Sequence, residues 1–185
     1  MPDERSIFAR TMAAHNETVV SPDGNITAIV SGGAVTGMRF RPGSYRGYTD
    51  PALATELTRL AKLVWVSRLR ARHTATRAVY GDPNAEVRRR IPSTPAQRRV
   101  RERTEKKKIT VSGAHVRLTV LGGTKWTVYI EPGTIDTVAE EAFIREFAQL
   151  VKQAISTWRT VINLIRREEH GPSFVLQGLR NRASA

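Results

Sequence analysis

One sequence pattern occurs twice in this chain, 90 positions apart, and it restricts the fold more than any other feature. Residues 26–43 read ITAIVSGGAVTGMRFRPG, and residues 116–133 read VRLTVLGGTKWTVYIEPG. The Gly-Gly pair, the Pro-Gly pair and most apolar positions fall in the same register, and Glu56 in the segment that follows matches Glu146 without a gap. A repeat of this kind indicates two copies of one structural unit.

Each copy is typical of a β-hairpin followed by a long helix. Apolar residues alternate along both arms, and Gly-Gly supplies the positive φ angles of a tight turn. A third strand is predicted before each hairpin, at Glu17–Ser21 and Ile109–Ser112. Helices are predicted at Asp3–His15, Pro51–Ala78 and Val138–Glu169. Asp50 is the expected N-cap of the second of these helices.

The chain length favours close packing of the two copies. With 185 residues in the chain, each copy is so short that a core of its own would be marginal. We therefore predict an α+β fold in which two β-β-β-α units pack as an intramolecular pseudo-dimer, with a short N-terminal helix. The predicted divisions are a first unit with its N-terminal helix (1–80), a basic linker (81–108), a second unit (109–170) and a C-terminal tail (171–185).

The charge balance indicates an anionic partner. The chain has 30 Lys and Arg against 17 Asp and Glu, a net charge of +13. Such a surplus is typical of proteins that bind nucleic acid, and less often of those that bind an acidic membrane or protein. The absence of cysteine excludes disulfides and thiolate metal sites. No apolar run resembles a signal peptide or a membrane span, so we expect a cytoplasmic protein with no membrane partner.

The predicted linker holds much of this charge. Between residues 86 and 108, ten basic residues oppose three acidic ones, and prolines allow at most one short helical segment. The basic residues are Arg88, Arg89, Arg90, Arg98, Arg99, Arg101, Arg103, Lys106, Lys107 and Lys108. A flexible arm of this composition would contact phosphates without reading base sequence. The alternative is a charged spacer that only keeps the chain in solution.

The two long helices differ in the charge of their outer sides. On the first, four cations fall at helical spacing opposite the apolar stripe: Arg59, Lys62, Arg70 and Arg77. A solvated helix face normally mixes both signs, and this one has few acids, so we interpret it as a second nucleic-acid contact. An ordinary solvated face is the alternative. The second helix has a broader apolar face, and its outer side, including Glu146, alternates in sign as a solvated face does.

The sequence has no pattern that indicates catalysis. Its four histidines are scattered, without the paired spacing of a metal site. No Gly-rich phosphate-binding loop and no nucleophile elbow occurs. We therefore expect no enzyme activity, no catalytic residue, no metal site and no cofactor.

The first copy resembles a known family. Glu17–Ala78, with its VVSPDGNITAIVSGGAVTGMRFRPG run and the long helix that follows, is similar to the YbaB/EbfC family of bacterial nucleoid-associated proteins; Lys107–Glu169 resembles it more loosely. The resemblance implies a dimeric α/β fold that binds DNA with little sequence preference and compacts or coats it. Family members have a long N-terminal helix, one unit per chain and no counterpart of the basic linker. No individual binding residue is therefore carried over from the family.

These observations lead to one predicted function and two alternatives. We expect non-enzymatic, largely sequence-independent binding of double-stranded DNA by a protein of the nucleoid, through the basic linker and the basic helix face. The absence of aromatic residues in the linker argues against base stacking there, while duplex RNA stays open as the nucleic acid. The other alternative is an accessory factor or chaperone of a type VII-like secretion system, although such relatives tend to be acidic. Self-association beyond the pseudo-dimer is a further expected contact.

Overall fold

The computed structural model describes residues 3–81 and 94–170. The first half consists of α1 (Glu4–Ala13), β1 (Asn16–Val20), β2 (Ile26–Ser31), β3 (Ala34–Phe40), a 3₁₀ turn (Tyr45–Gly47) and α2 (Asp50–Tyr80). The second half consists of α3 (Pro95–Lys106), β4 (Lys108–Ser112), β5 (Val116–Leu121), β6 (Lys125–Ile130), the short α4 (Thr134–Thr137) and α5 (Glu140–His170). The two halves therefore have matching element orders.

Each half contains one three-stranded antiparallel sheet, in the orders β1-β2-β3 and β4-β5-β6. The central hairpins turn at the Gly-Gly pairs, where Gly33 and Gly123 have φ angles of 75° and 74°. Those angles lie in the left-handed region that favours glycine. The prediction of an α+β fold with two such sheets, each followed by a long helix, is confirmed.

The two long helices are equivalent in length and position. Both α2 and α5 have 31 residues, and α5 begins 90 positions after α2. The predicted N-cap of α2 was wrong by one residue. Thr49, not Asp50, is the N-cap, and its hydroxyl accepts a hydrogen bond from the Ala52 amide at 3.4 Å. Threonine is a good N-cap, which frees the Asp50 carboxylate for another contact.

The range interpreted as a linker, 81–108, includes the regular helix α3. Thr94 and Gln97 form a capping box at its N-terminus, and Pro95 occupies the first turn. Both features favour helix initiation. The helix packs against α5, just as α1 is in contact with α2. Each half is therefore an α-β-β-β-α arrangement, and α3 corresponds to the N-terminal helix of the first half.

One hydrophobic core is shared by both halves. Helix α2 packs on β1 and β2 of its own sheet and also on β6, while α5 packs on β4, β5 and β3. The Phe143 ring on α5 lies 5.5 Å from the Tyr45 ring of the first half. The Thr58 hydroxyl on α2 accepts a hydrogen bond from the Val128 amide at 3.0 Å. The two halves are thus held together by apolar contacts and by hydrogen bonds in which a side chain of one half meets the backbone of the other.

Asp50 makes a polar connection between the halves. Its carboxylate accepts hydrogen bonds from the amides of Gly133 at 2.7 Å and Ile135 at 3.0 Å, at the start of α4. A carboxylate is favourable at a helix N-terminus because the amides there point outward unpaired. Arg46 in the 3₁₀ turn also donates to the Ile135 carbonyl. The loops before the two long helices are therefore tied to each other.

The sequence pattern predicted Glu146 on a solvated helix face, and this prediction was wrong. In the structure, the side chain is only 19% exposed. Its carboxylate accepts hydrogen bonds from the amides of His115 at 2.8 Å and Val116 at 3.2 Å, and it lies 2.8 Å from His115 Nδ1. Burial alone would raise the pKa of Glu146, but the contacts with His115 and Val116 outweigh burial and lower it. The side chain thus fastens α5 to the turn between β4 and β5.

Replacement of Glu146 by Gln should remove a pH-dependent part of the stability. A carboxyl group with a lowered pKa stabilises the folded state above its unfolded pKa and loses that effect as the pH falls through the folded value. We expect the free energy of unfolding of the variant to be about 1–2 kcal/mol lower than that of the parent protein at pH 7. The gap should close as the pH drops below the ordinary value of 4.5. Urea unfolding of both proteins at pH 7 and pH 3.5 measures this difference in stability. A difference that does not change with pH would contradict the stabilising role of the Glu146 carboxylate.

Candidate nucleic-acid interface

The predicted cations of the first long helix lie together on one exposed side of α2: Arg59, Lys62, Arg70 and Arg77. The buried side carries the apolar residues, including Leu53 and Leu57, so the predicted division of this helix is confirmed. Two of the cations have carboxylate partners. Arg59 Nη1 lies 2.5 Å from Glu56 and Arg70 Nη1 lies 3.4 Å from Glu17. Lys62 and Arg77 make no ion pair with any residue in the described ranges.

The predicted cations of the linker do not all lie on one element. Arg88, Arg89 and Arg90 lie outside the described residues. Arg98, Arg99, Arg101, Arg103 and Lys106 lie on α3, Lys107 follows it and Lys108 begins β4. All seven of these side chains are exposed. Because α3 is a packed helix, these cations are held at fixed spacings rather than on a flexible arm.

Two of these arginines fasten α3 to the end of α5. Arg99 Nε lies 2.7 Å from Glu169, and Arg103 contacts both Glu169 at 2.9 Å and Glu168 at 2.5 Å. The hydrogen bonds from Arg99 and Arg103 lower the pKa of Glu169. These guanidinium groups therefore have a structural role that their sequence pattern did not indicate. No other predicted binding cation in the described ranges pairs with a carboxylate on another helix.

The other cations of α3 remain more accessible to a ligand. Arg101 pairs with Glu105 at 2.8 Å, but both side chains are about 60% exposed, and exposed pairs contribute only about 0–1 kcal/mol. A phosphate could replace such a partner at small cost. Arg98, Lys106, Lys107 and Lys108 make no ion pair with any residue that the structure describes. They form a group of unneutralised charge along α3 and the start of β4.

A cleft between the helices was missed by the sequence reasoning. It has a volume of about 600 Å³ and is lined by parts of α2, α3 and α5 and by the turn between β5 and β6. Its aromatic lining consists of Trp65, Trp126 and Trp158, and its arginines are Arg68, Arg72, Arg101, Arg159 and Arg166. These residues are scattered over a hundred positions of the chain. The sequence contains one signal that relates two of them. Arg68 on α2 and Trp158 on α5 are 90 positions apart and so occupy equivalent positions of the two long helices.

In the described part of the chain, no group of three His, Asp or Glu side chains is arranged to hold a metal ion, and no helix there has the length and apolarity to cross a bilayer. Comparisons with protein-family models, with curated proteins and with solved structures find no match to this chain.

Proposed function

We propose that this protein binds double-stranded DNA through its phosphates, with little preference for base sequence. Two groups of residues make the contacts. The α3 surface comprises Arg98, Lys106, Lys107 and Lys108, and the α2 surface comprises Arg59, Lys62, Arg70 and Arg77. The observation that carries the proposal is the α3 surface, where four exposed cations fall within residues 98–108 and have no carboxylate partner among the described residues.

The chemistry of these surfaces favours phosphate over base recognition. Lys106, Lys107 and Lys108 are consecutive and present compact charges on flexible stems. Cations of this kind neutralise phosphates and release condensed counterions, which gives affinity that is independent of sequence and sensitive to salt. Contacts to phosphate fix the position of a protein on the duplex but do not identify bases. The proposed binding is therefore of the coating or compacting type, as the resemblance to YbaB/EbfC proteins also implies.

The shared core supports the interpretation of the chain as an intramolecular pseudo-dimer. Each long helix packs on its own sheet and on the last strand of the other sheet, as expected where two equivalent units associate through one interface. In this proposal, one polypeptide supplies both units. The halves have diverged, because the outer side of α2 carries mainly cations while α5 uses Glu168 and Glu169 to hold α3.

A protein-interaction role is the second candidate. Val20 and Ile29 on the outer side of the first sheet are each 44% exposed, and they lie on paired strands. Exposed apolar side chains on a sheet are typical of contact surfaces. A role of this kind predicts a protein complex that persists at high salt, whereas the phosphate contacts of the first candidate weaken as salt increases.

Fluorescence anisotropy with labelled duplexes separates the two candidates. Two 30-base-pair duplexes of unrelated sequence should bind with affinities within about threefold of each other. Raising the salt from 50 to 200 mM should weaken both by about 10²- to 10⁴-fold. Binding of one sequence alone, or affinity that does not change with salt, would contradict the proposal. A duplex RNA of the same length, tested in parallel, identifies the preferred nucleic acid.

A further inference from the structure

The cleft between α2, α3 and α5 is separate from the two basic surfaces and has a composition of its own. The chain contains three tryptophans, and all of them line this cleft. Trp126 and Trp158 pack by one side against the hydrophobic core, and their partly buried rings also border the open volume. Its volume of about 600 Å³ lies within the range of about 300–1,000 Å³ usual for small-ligand sites.

Arg68 is a partly buried cation of this cleft. Its stem rests on the first Gly-Gly turn, where a Cβ added to Gly33 would lie 3.4 Å from Arg68 Cγ. Burial, and then the nearby charges of Arg72 and Arg159, lower the pKa of Arg68. No described carboxylate lies within ion-pair distance of its guanidinium. A partly desolvated cation beside like charges is unfavourable unless an anion neutralises it.

The acidic lining does not supply that anion. Glu105 is the acidic residue among the described lining residues, and it pairs with Arg101 at 2.8 Å. The cleft therefore combines partly exposed indole rings with a surplus of guanidinium groups. Indole rings stack with planar aromatic groups, and guanidinium groups bind phosphate through a planar pair of donors. A ligand that carries an aromatic ring and a phosphate matches both.

We infer that this cleft binds a nucleotide, with its base against the tryptophans and its phosphate at Arg68 and Arg159. The same chemistry is present in an unpaired nucleotide of a single strand and in a free nucleotide. A base within a duplex is stacked on both faces and cannot enter. This inference is independent of the phosphate contacts proposed for duplex DNA, since Arg98, Lys106, Lys107 and Lys108 do not line the cleft.

Intrinsic tryptophan fluorescence tests the inference, because every tryptophan of the chain lines the cleft. The full chain is titrated with the oligonucleotide (dT)6, with ATP and with a blunt 20-base-pair duplex. We expect saturable quenching by (dT)6 or by ATP. A response to (dT)6 alone identifies the single strand as the source of the nucleotide, and an equal response to ATP identifies the free nucleotide. Quenching by neither overturns the inference, as does quenching by the duplex to the same extent.

Two variants and a matched control locate the binding. Arg68→Gln and Arg159→Gln should each raise the dissociation constant at least tenfold. Arg159 is exposed, so that variant should fold even where the partly buried Arg68 is less tolerant. Arg145→Gln removes an exposed arginine of the same helix α5 that does not line the cleft, and it should leave the constant within twofold. Equal weakening by Arg159→Gln and Arg145→Gln would overturn the assignment, even if duplex binding persists.

Discussion

Replacement of the four cations of the α3 surface by Gln should weaken duplex binding by at least about 100-fold near 0.1 M salt. The variant carries Arg98→Gln, Lys106→Gln, Lys107→Gln and Lys108→Gln. Each phosphate contact contributes about 0.9 to the slope of log K against log salt, so the slope should fall by about 3–4. Glutamine is a good helix former, and α3 should keep its structure. Anisotropy titrations at several salt concentrations measure both the affinity and the slope.

A second variant with the same loss of charge provides the control. Arg39, Arg41, Arg145 and Lys152 are exposed residues outside both basic surfaces, and their replacement by Gln also removes four positive charges. If net charge alone attracts the duplex, both variants will lose affinity equally, and the assignment to α3 will be wrong. If the α3 surface makes the contacts, the control should lose less than about tenfold, through the weaker general field of the protein.

Gly123→Ala should destabilise the fold by about 2–5 kcal/mol, through two separate effects. Gly123 has a φ of 74°, and a Cβ there would lie 2.7 Å from the indole ring of Trp158. The left-handed backbone costs an alanine about 1–2 kcal/mol. The steric overlap adds about 1–3 kcal/mol, because Trp158 packs against the core and has little freedom to move. Urea unfolding followed by circular dichroism gives the free energy.

Two other glycines separate these effects. Gly43 has a φ of 76° but no neighbouring atom within 4 Å of an added Cβ, so Gly43→Ala should cost only about 1–2 kcal/mol. Gly33, at the equivalent turn of the first half, would place a Cβ 2.9 Å from the terminal methyl of Met12, which is flexible enough to move. The expected order of destabilisation is Gly123, then Gly33, then Gly43. Equal values at Gly123 and Gly43 would show that the indole contact has no energetic weight.

The fold was largely predictable because the two-residue alternation of its strands and the helical spacing of its apolar stripes are both visible in the sequence. Alternating apolar residues around the Gly-Gly pairs predicted the hairpins, and the apolar stripe with Leu53 and Leu57 predicted the buried side of α2. Helix α3 was harder to predict. Its residues are almost all charged or polar, and none of them is buried. It is held by a capping box and by ion pairs to Glu168 and Glu169, contacts that a local pattern does not contain.

The candidate site was predictable only in its charge. Clusters such as Lys106–Lys108 are visible directly, but which arginines are neutralised depends on distant residues. Arg99 and Arg103 are paired across more than 60 positions with the end of α5. Glu146 was misassigned for the same reason, since the amides that it binds belong to the turn between β4 and β5. The tryptophan and arginine cleft exists only where three helices converge.

Lysine footprinting tests the proposed duplex interface most directly. The chain has six lysines, at positions 62, 106, 107, 108, 125 and 152, and all are exposed. Acetylation with and without a 30-base-pair duplex, followed by mass spectrometry, reports the protection of each. We predict protection of Lys62 and of Lys106–Lys108, with unchanged reactivity at Lys152. Protection confined to Lys152, or equal at all six positions, would contradict the account.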